Sequence, residues 1–177
     1  VVPDALGADA KAFNRLLQDA SARDMPVFLP PGIYRVSNIE LPTNIRISGV
    51  PGATRLVYSG EGQFMRAVGG KRVALNNLAI DGANRWLGDN QPGLITFQAV
   101  EDLSLEHCEL RGAQKFAVWA ERCGGRIDGN RISGAVASAV YAVECSDFVV
   151  RDNVVSDCGD GGILVHRWTK GHDGTIV

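Results

Sequence analysis

Hydrophobic residues in this chain fall mostly at alternate positions, in short runs rich in Val, Ile and Leu, and each run is closed by Gly, Asn, Asp or Ser. Period-two alternation broken by turn formers predicts strands, with no room between breaks for a ten-residue amphipathic helix. One segment departs from this. Phe13, Leu16, Leu17 and Ala20 recur at helical spacing and predict a helix from about Asp9 to Arg23. After it, Met25-Pro-Val-Phe-Leu-Pro-Pro-Gly-Ile-Tyr-Arg-Val36 reads as strand, proline-glycine turn, strand.

The alternating segments repeat. Leu75-Asn-Asn-Leu-Ala-Ile-Asp-Gly-Ala83 returns as Leu105-Glu-His-Cys-Glu-Leu-Arg-Gly-Ala113, Ile127-Asp-Gly-Asn-Arg-Ile-Ser-Gly-Ala135 and Val150-Arg-Asp-Asn-Val-Val-Ser-Asp-Cys158, at offsets of 30, 22 and 23. A second phrase, Ile95-Thr-Phe-Gln98, returns at Val118, Val140 and Ile163, at offsets of 23, 22 and 23. Such a period marks stacked supersecondary units. A leucine-rich repeat would show a fixed leucine ladder, and a propeller blade needs about twice the length. A parallel β-helix fits, with each residue roughly 4.8 Å from its counterpart on the next coil.

Register then assigns faces. Ile95, Val118, Val140 and Ile163 form one inward stack, and Phe97, Ala120, Ala142 and Val165 another. Thr96, Trp119, Tyr141 and Leu164 point outward, as do Gln98, Glu121, Val143 and His166. Asn130 and Asn153 share a turn slot suited to a left-handed bend, held by Leu78 and Cys108 in earlier coils, so an asparagine ladder would be short.

The helix would cover the open start of the stack and protect its edge. Gly174-Thr-Ile-Val177 aligns with the start of another coil, which predicts a continuation beyond Val177 or stacking on another chain. The expectation is one domain over 1–177, with a cap over 1–25 and about six coils over 26–177.

Composition narrows the partners. With 45% hydrophobic residues a continuous narrow core is expected. A formal charge of −2 gives no global steering, so nucleic acid is not an expected partner. No apolar run approaches the length of a membrane span. Cys123 and Cys145 fall in one slot on adjacent coils, between Val100 and Trp168, and read as buried thiols because in-register neighbours fit disulfide geometry poorly. Cys108 and Cys158 lie at turns, and no zinc spacing is present.

Leu6-Gly-Ala8, the helix, Val27-Phe-Leu-Pro-Pro-Gly-Ile-Tyr34 and Ile47-Ser-Gly49 together resemble the opening module of the pectate-lyase-like superfamily. Its members are right-handed parallel β-helices, found in pectate lyases, polygalacturonases, alginate epimerases and phage tailspikes. The acidic Gly-Asp-Gly and Thr-Asp-Asp run common in that module is missing here. The asparagine turns are similar to those of exported β-helix proteins with twin-arginine signals. The resemblance implies a groove along one sheet in which an extended polysaccharide lies parallel to the axis, outside the cytoplasm.

On that groove Trp119 and Tyr141 would stack against sugar rings, or be covered by a loop or partner. Glu121, Arg122, Glu144 and Arg167 alternate in sign, as a solvated ion-pair ladder does. As a site, arginine would bind a uronate carboxylate and glutamate would act as acid or base. Asp157-Cys-Gly-Asp160-Gly-Gly-Ile-Leu-Val-His166-Arg167 offers two aspartates and a histidine for glycoside hydrolysis or proton abstraction, although Asp and Gly also simply make turns. Trp86 lies in the insertion over 83–92 that lengthens one offset to 30, where solenoids carry specificity loops. His107 and His172-Asp173 read as surface residues. Turn carboxylates make calcium conceivable without a regular ligand spacing. The leading expectation is a carbohydrate-active β-helix, periplasmic or secreted, acting as lyase, hydrolase or epimerase on an acidic polysaccharide. The alternative is a non-catalytic β-helix with a binding or structural role.

Overall fold

The repeat closes into a three-sided prism of parallel sheets. The computed structural model describes residues 10–171 and 173–177; Leu6-Gly-Ala8 and His172 lie outside them. Sheet A has seven strands, from Val27–Phe28 to Thr175–Ile176. Sheets B and C have six each, from Gly32–Val36 to Val154–Ser156 and from Ile39–Glu40 to Gly161–His166. Successive coils contribute one strand to each sheet, so every pairing is parallel and the stack is a β-helix of about six coils.

The register is the one the repeat predicts. Leu75 lies beside Leu105, Leu105 beside Ile127, and Ile127 beside Val150. Ile95, Val118, Val140 and Ile163 are likewise neighbours across sheet C. Stacked in-register side chains fill the interior: Phe97, Leu105, Val118, Ile127 and Phe148 are completely buried. Removing such columns from water is the main stabilising term of a solenoid whose coils touch only their neighbours.

The helix Ala10–Ala22 covers the first coil. It buries Phe13, Leu17 and Ala20, with Leu16 half-buried. Its polar residues satisfy the exposed strand edge. Asn14 Nδ2 donates to the Asn38 carbonyl at 2.8 Å, Asn14 Oδ1 accepts from the Glu40 N–H at 3.0 Å, and Ser21 Oγ donates to the Thr43 carbonyl at 2.6 Å. Side chains thus replace the neighbouring strand that the edge lacks.

Left-handed residues turn each corner, and their positions correct the asparagine expectation. Between sheets A and B the positive φ falls on Asn77, His107, Gly129 and Asp152, one residue before the predicted slot. Asn130 and Asn153 instead point inward. Asn130 Nδ2 donates to the Leu105 carbonyl at 2.8 Å and Asn153 Nδ2 to the Ile127 carbonyl at 2.9 Å, while Asn130 Oδ1 accepts from the Cys108 N–H at 2.8 Å. They pair backbone groups that would otherwise be buried without partners. One coil earlier the Cys108 thiol takes the same place, facing the Leu75 carbonyl at 3.7 Å.

Cys123 and Cys145 are free and buried, as their shared slot implies. Burial pushes the thiols of Cys108 and Cys123 up to about 12, and that of Cys145 to about 11.

Candidate functional site

Sheet C carries aromatic rings on its outer face, and the strand that places them is bent. In Phe116–Glu121 both Ala117 and Val118 are fully buried, which breaks strict alternation. The bend leaves Phe116 on the outside with Trp119. Trp119 and Tyr141 occupy facing positions on adjacent strands, their ring centroids 4.5 Å apart and 24° from parallel. Phe116 sits 5.3 Å from Trp119 and 5.0 Å from Tyr141. The row continues through His166, 6.4 Å from Tyr141, to Trp168, 6.1 Å beyond. Five rings therefore run along the helix axis across three coils. Trp119 and Tyr141 are only half-buried. The Trp119 indole N–H is shielded from solvent and has no partner among the described residues.

Glu121 borders this row. Its carboxylate accepts from Gln98 Nε2 at 3.2 Å and pairs with Arg122 at 2.9 Å. Its register neighbour Val143 was expected to point outward but is completely buried, and His166 follows it. Glu121 and His166 thus share a column, two coils apart with Val143 between them.

Other predicted site residues stand elsewhere. Arg122 and Glu144 share a left-handed corner slot with Ala99, with φ values of 52°, 55° and 53°. Their backbone turns the chain from sheet C into sheet A, off the outward stack, and the Arg122 side chain reaches back to Glu121. Glu144 is buried, and its carboxylate accepts hydrogen bonds from the backbone N–H of Trp168 and of Thr169, the latter at 2.6 Å. It fixes the backbone at the last ring of the row. Arg167 is exposed just past the end of its strand.

The aspartate pair lies apart from the row. Asp157, with φ 54°, takes the left-handed corner slot that Gly112 and Gly134 occupy in earlier coils. It bends the backbone. Asp160 precedes the strand Gly161–His166, and His166 ends it. Strand rise separates the two by roughly 15–20 Å, so the aspartates and the histidine form no single constellation.

Trp86 is 60% exposed on its insertion, which is tied down and not a free loop. Leu87 enters the core, Arg85 Nη1 donates to the Ser59 carbonyl at 2.7 Å, and Lys115 Nζ donates to the carbonyls of Gly88 and Asp89 at 3.0 and 3.1 Å. Lys115 and Phe116 had no signal in the repeat. Only the bend in the strand turns Phe116 outward, and only the fold brings Lys115 to the insertion.

Among the described residues, no three His, Cys, Asp or Glu side chains converge as a cation's ligands would. No helix of the described residues is long and apolar enough to cross a membrane. A cleft at the corner of sheets A and B is lined by His107, Glu109, Asn130 and Arg131, away from the aromatic row.

Comparison with known proteins places this geometry. A model of the right-handed β-helix region matches residues 57–176, so the chain belongs to the right-handed β-helix family. Among solved structures it is similar to the catalytic domain of a GH87 α-1,3-glucanase variant in complex with tetrasaccharides. The TM-score is 0.76 at 16% identity, over 99% of this chain and 34% of that one. At that identity the likeness is one of fold, and the chain spans about a third of the length of that domain. The curated proteins offer no match.

Proposed function

We propose that the outer face of sheet C binds an extended oligosaccharide and that the chain is a carbohydrate-active β-helix protein of the periplasm or the extracellular space, acting on an acidic polysaccharide. The row Phe116, Trp119, Tyr141, His166 and Trp168 carries this reading. Pyranose rings present an apolar face, and a half-buried aromatic row of this length on a water-facing sheet is the kind of patch that marks a contact surface. The rings follow the axis, so successive sugars of an extended chain would lie over successive coils. The similar fold of a glucanase domain that binds tetrasaccharides agrees with this.

Glu121 and Arg122 set the chemistry. One carboxylate beside one guanidinium suits proton abstraction next to a neutralised uronate carboxyl, the step shared by lyases and epimerases. Hydrolysis needs a second carboxyl facing the first across the bond. Asp157 and Asp160 sit at the opposite end of the sheet C strands, and Glu144 is committed to the backbone of Trp168 and Thr169. A second reading, binding without catalysis, is favoured by the Glu121 carboxylate being already held by Gln98 and Arg122.

Titration with oligouronates and neutral glucan oligosaccharides tests binding, with Trp119→Ala expected to weaken it about tenfold. Release of unsaturated products from polygalacturonate or alginate, lost in Glu121→Gln, identifies a lyase. Binding without turnover of any of these polymers identifies the second reading. Wild-type affinity in Trp119→Ala would overturn the platform.

A further inference from the structure

Lys115 contrasts with the arginines that are paired across the coils. Arg126, Arg151, Arg111 and Arg66 each meet a carboxylate. Lys115 is half-buried, and no carboxylate pairs with it among the described residues. Its ammonium is held by the Gly88 and Asp89 carbonyls and lies 4.8 Å from the centroid of the Trp86 ring. Two carbonyls and a ring face orient a cation but do not cancel its charge. An ammonium has three donors, and the two carbonyls use two of them.

Its position links it to the aromatic row. Lys115 directly precedes Phe116, whose ring touches both Trp119 and Tyr141. The return of the insertion passes beneath the row: a Cβ at Gly93 would come within 3.1 Å of the Trp119 Cβ. The wall itself is set before any ligand arrives. The Gln91 N–H donates to the Gly88 carbonyl at 2.9 Å, and the Asn84 N–H to the Gly112 carbonyl at 3.1 Å. A rigid wall exposing one tryptophan, with an uncompensated cation at its foot, stands at the rim of the platform. Two coils further on, Asp160 takes the same rim slot, so the positive charge is confined to the Trp86 end.

We propose that Lys115 and Trp86 form an anion-selecting subsite that takes a carboxylate-bearing sugar at one end of the aromatic row. The ring of Trp86 packs on the sugar face, and the remaining Nζ donor of Lys115 meets its carboxylate. This rests on the reading of sheet C as a carbohydrate platform and adds which sugar it selects. A charge-assisted bond at a half-buried cation discriminates strongly because a neutral analogue leaves the ammonium unmatched.

Calorimetric titration with tetragalacturonate and with its fully methyl-esterified form tests this, at low and at physiological salt. Wild-type chain should bind the acid about tenfold tighter than the ester, consistent with a charge-assisted bond, and the gap should narrow as salt rises. Lys115→Gln should remove the gap and leave the ester's affinity unchanged, and Lys115→Arg should keep it. Trp86→Ala should weaken both forms. Hydrogen exchange at the Gln91 amide reports whether the insertion stays in place in Lys115→Gln. If it loosens, Lys115→Arg, with the charge retained, still has to preserve the gap. Equal affinities in the wild type, a gap that survives Lys115→Gln, or no binding of either form would overturn the inference. Where neither form binds, a neutral glucan tetrasaccharide separates the two readings: binding weakened in Trp119→Ala retains the platform without the anion subsite, and no binding at all sinks both.

Discussion

The outer faces of sheets A and C come from the same coils at the same step, yet they meet solvent in opposite ways. Sheet A shows crossed pairs: Arg72 with Asp102 at 3.4 Å, Arg126 with Glu106, and Arg151 with Asp128 at 2.8 Å. Glu106 and Asp128 are register neighbours, a like-charge contact that the arginines of the following coils neutralise. Sheet C replaces such pairs with rings over three coils. In-register stacking amplifies whatever a position carries: a charge becomes a ladder that must alternate, and an aromatic becomes a stripe. The ladder is self-satisfied and has little left to offer a ligand. The stripe leaves apolar faces half-exposed. The contrast between the two faces is the reason for seeking function on sheet C.

That contrast can be tested from several sides. The largest expected loss is one both faces share. Phe97→Ala empties a fully buried position and should destabilise the fold by about 3–5 kcal/mol, measured by denaturant unfolding. A much smaller loss would mean that the coils do not depend on a common core.

On sheet C, Trp119→Ala and Tyr141→Ala should each weaken oligosaccharide binding by about tenfold, and together by more, since each ring offers about 1 kcal/mol of stacking beyond its buried area. Thermal unfolding should shift less than in Phe97→Ala because both rings are only half-buried. Binding that survives the double substitution would end the distinction between the faces.

A pH titration probes the core between them. The folded-state thiols of Cys108, Cys123 and Cys145 lie above their usual 9.0 because burial disfavours the thiolate. A raised folded pKa adds stability that is complete below the unfolded value. That contribution is lost as pH climbs through the folded value. Thermal stability should therefore fall between pH 9 and about 12, and less steeply in Cys108→Ala. In the native state at neutral pH, Cys158 should react with a thiol reagent well before the other three.

The smallest effect belongs to sheet A. Arg126→Ala removes a surface pair and should change stability by about 1 kcal/mol or less, with no change in oligosaccharide binding. A binding loss equal to that of Trp119→Ala would move the site off sheet C.

Much of this was legible beforehand, for a reason tied to the architecture. In a parallel stack the residue one period away is the spatial neighbour, so counting alone put Trp119 against Tyr141 and Cys123 against Cys145. The right-handed β-helix, the capping helix and the inward columns as far as Val140 and Ala142 follow from the same count, whereas Val165, counted inward, is 43% exposed on the last described strand of its sheet. Counting failed where the chain leaves the strand. Arg122, Glu144 and Asp157 align with strand-flanking positions in the repeat, yet each takes a left-handed corner conformation that redirects its side chain. Phe116 escaped notice because strict alternation places it inside, and a local bend turns it out.

The sequence by itself determined the period, and through it the fold, the register and the contact of Trp119 with Tyr141, because in-register stacking converts sequence distance directly into contact. Only the tertiary structure decided which polar residues border the aromatic row. Corner dihedrals direct Glu144 to the Trp168 and Thr169 amides. The reach of a long side chain brings Lys115 to Trp86 across an insertion of irregular length. Neither the angle of a corner nor the path of an insertion repeats along the chain, so neither could be counted.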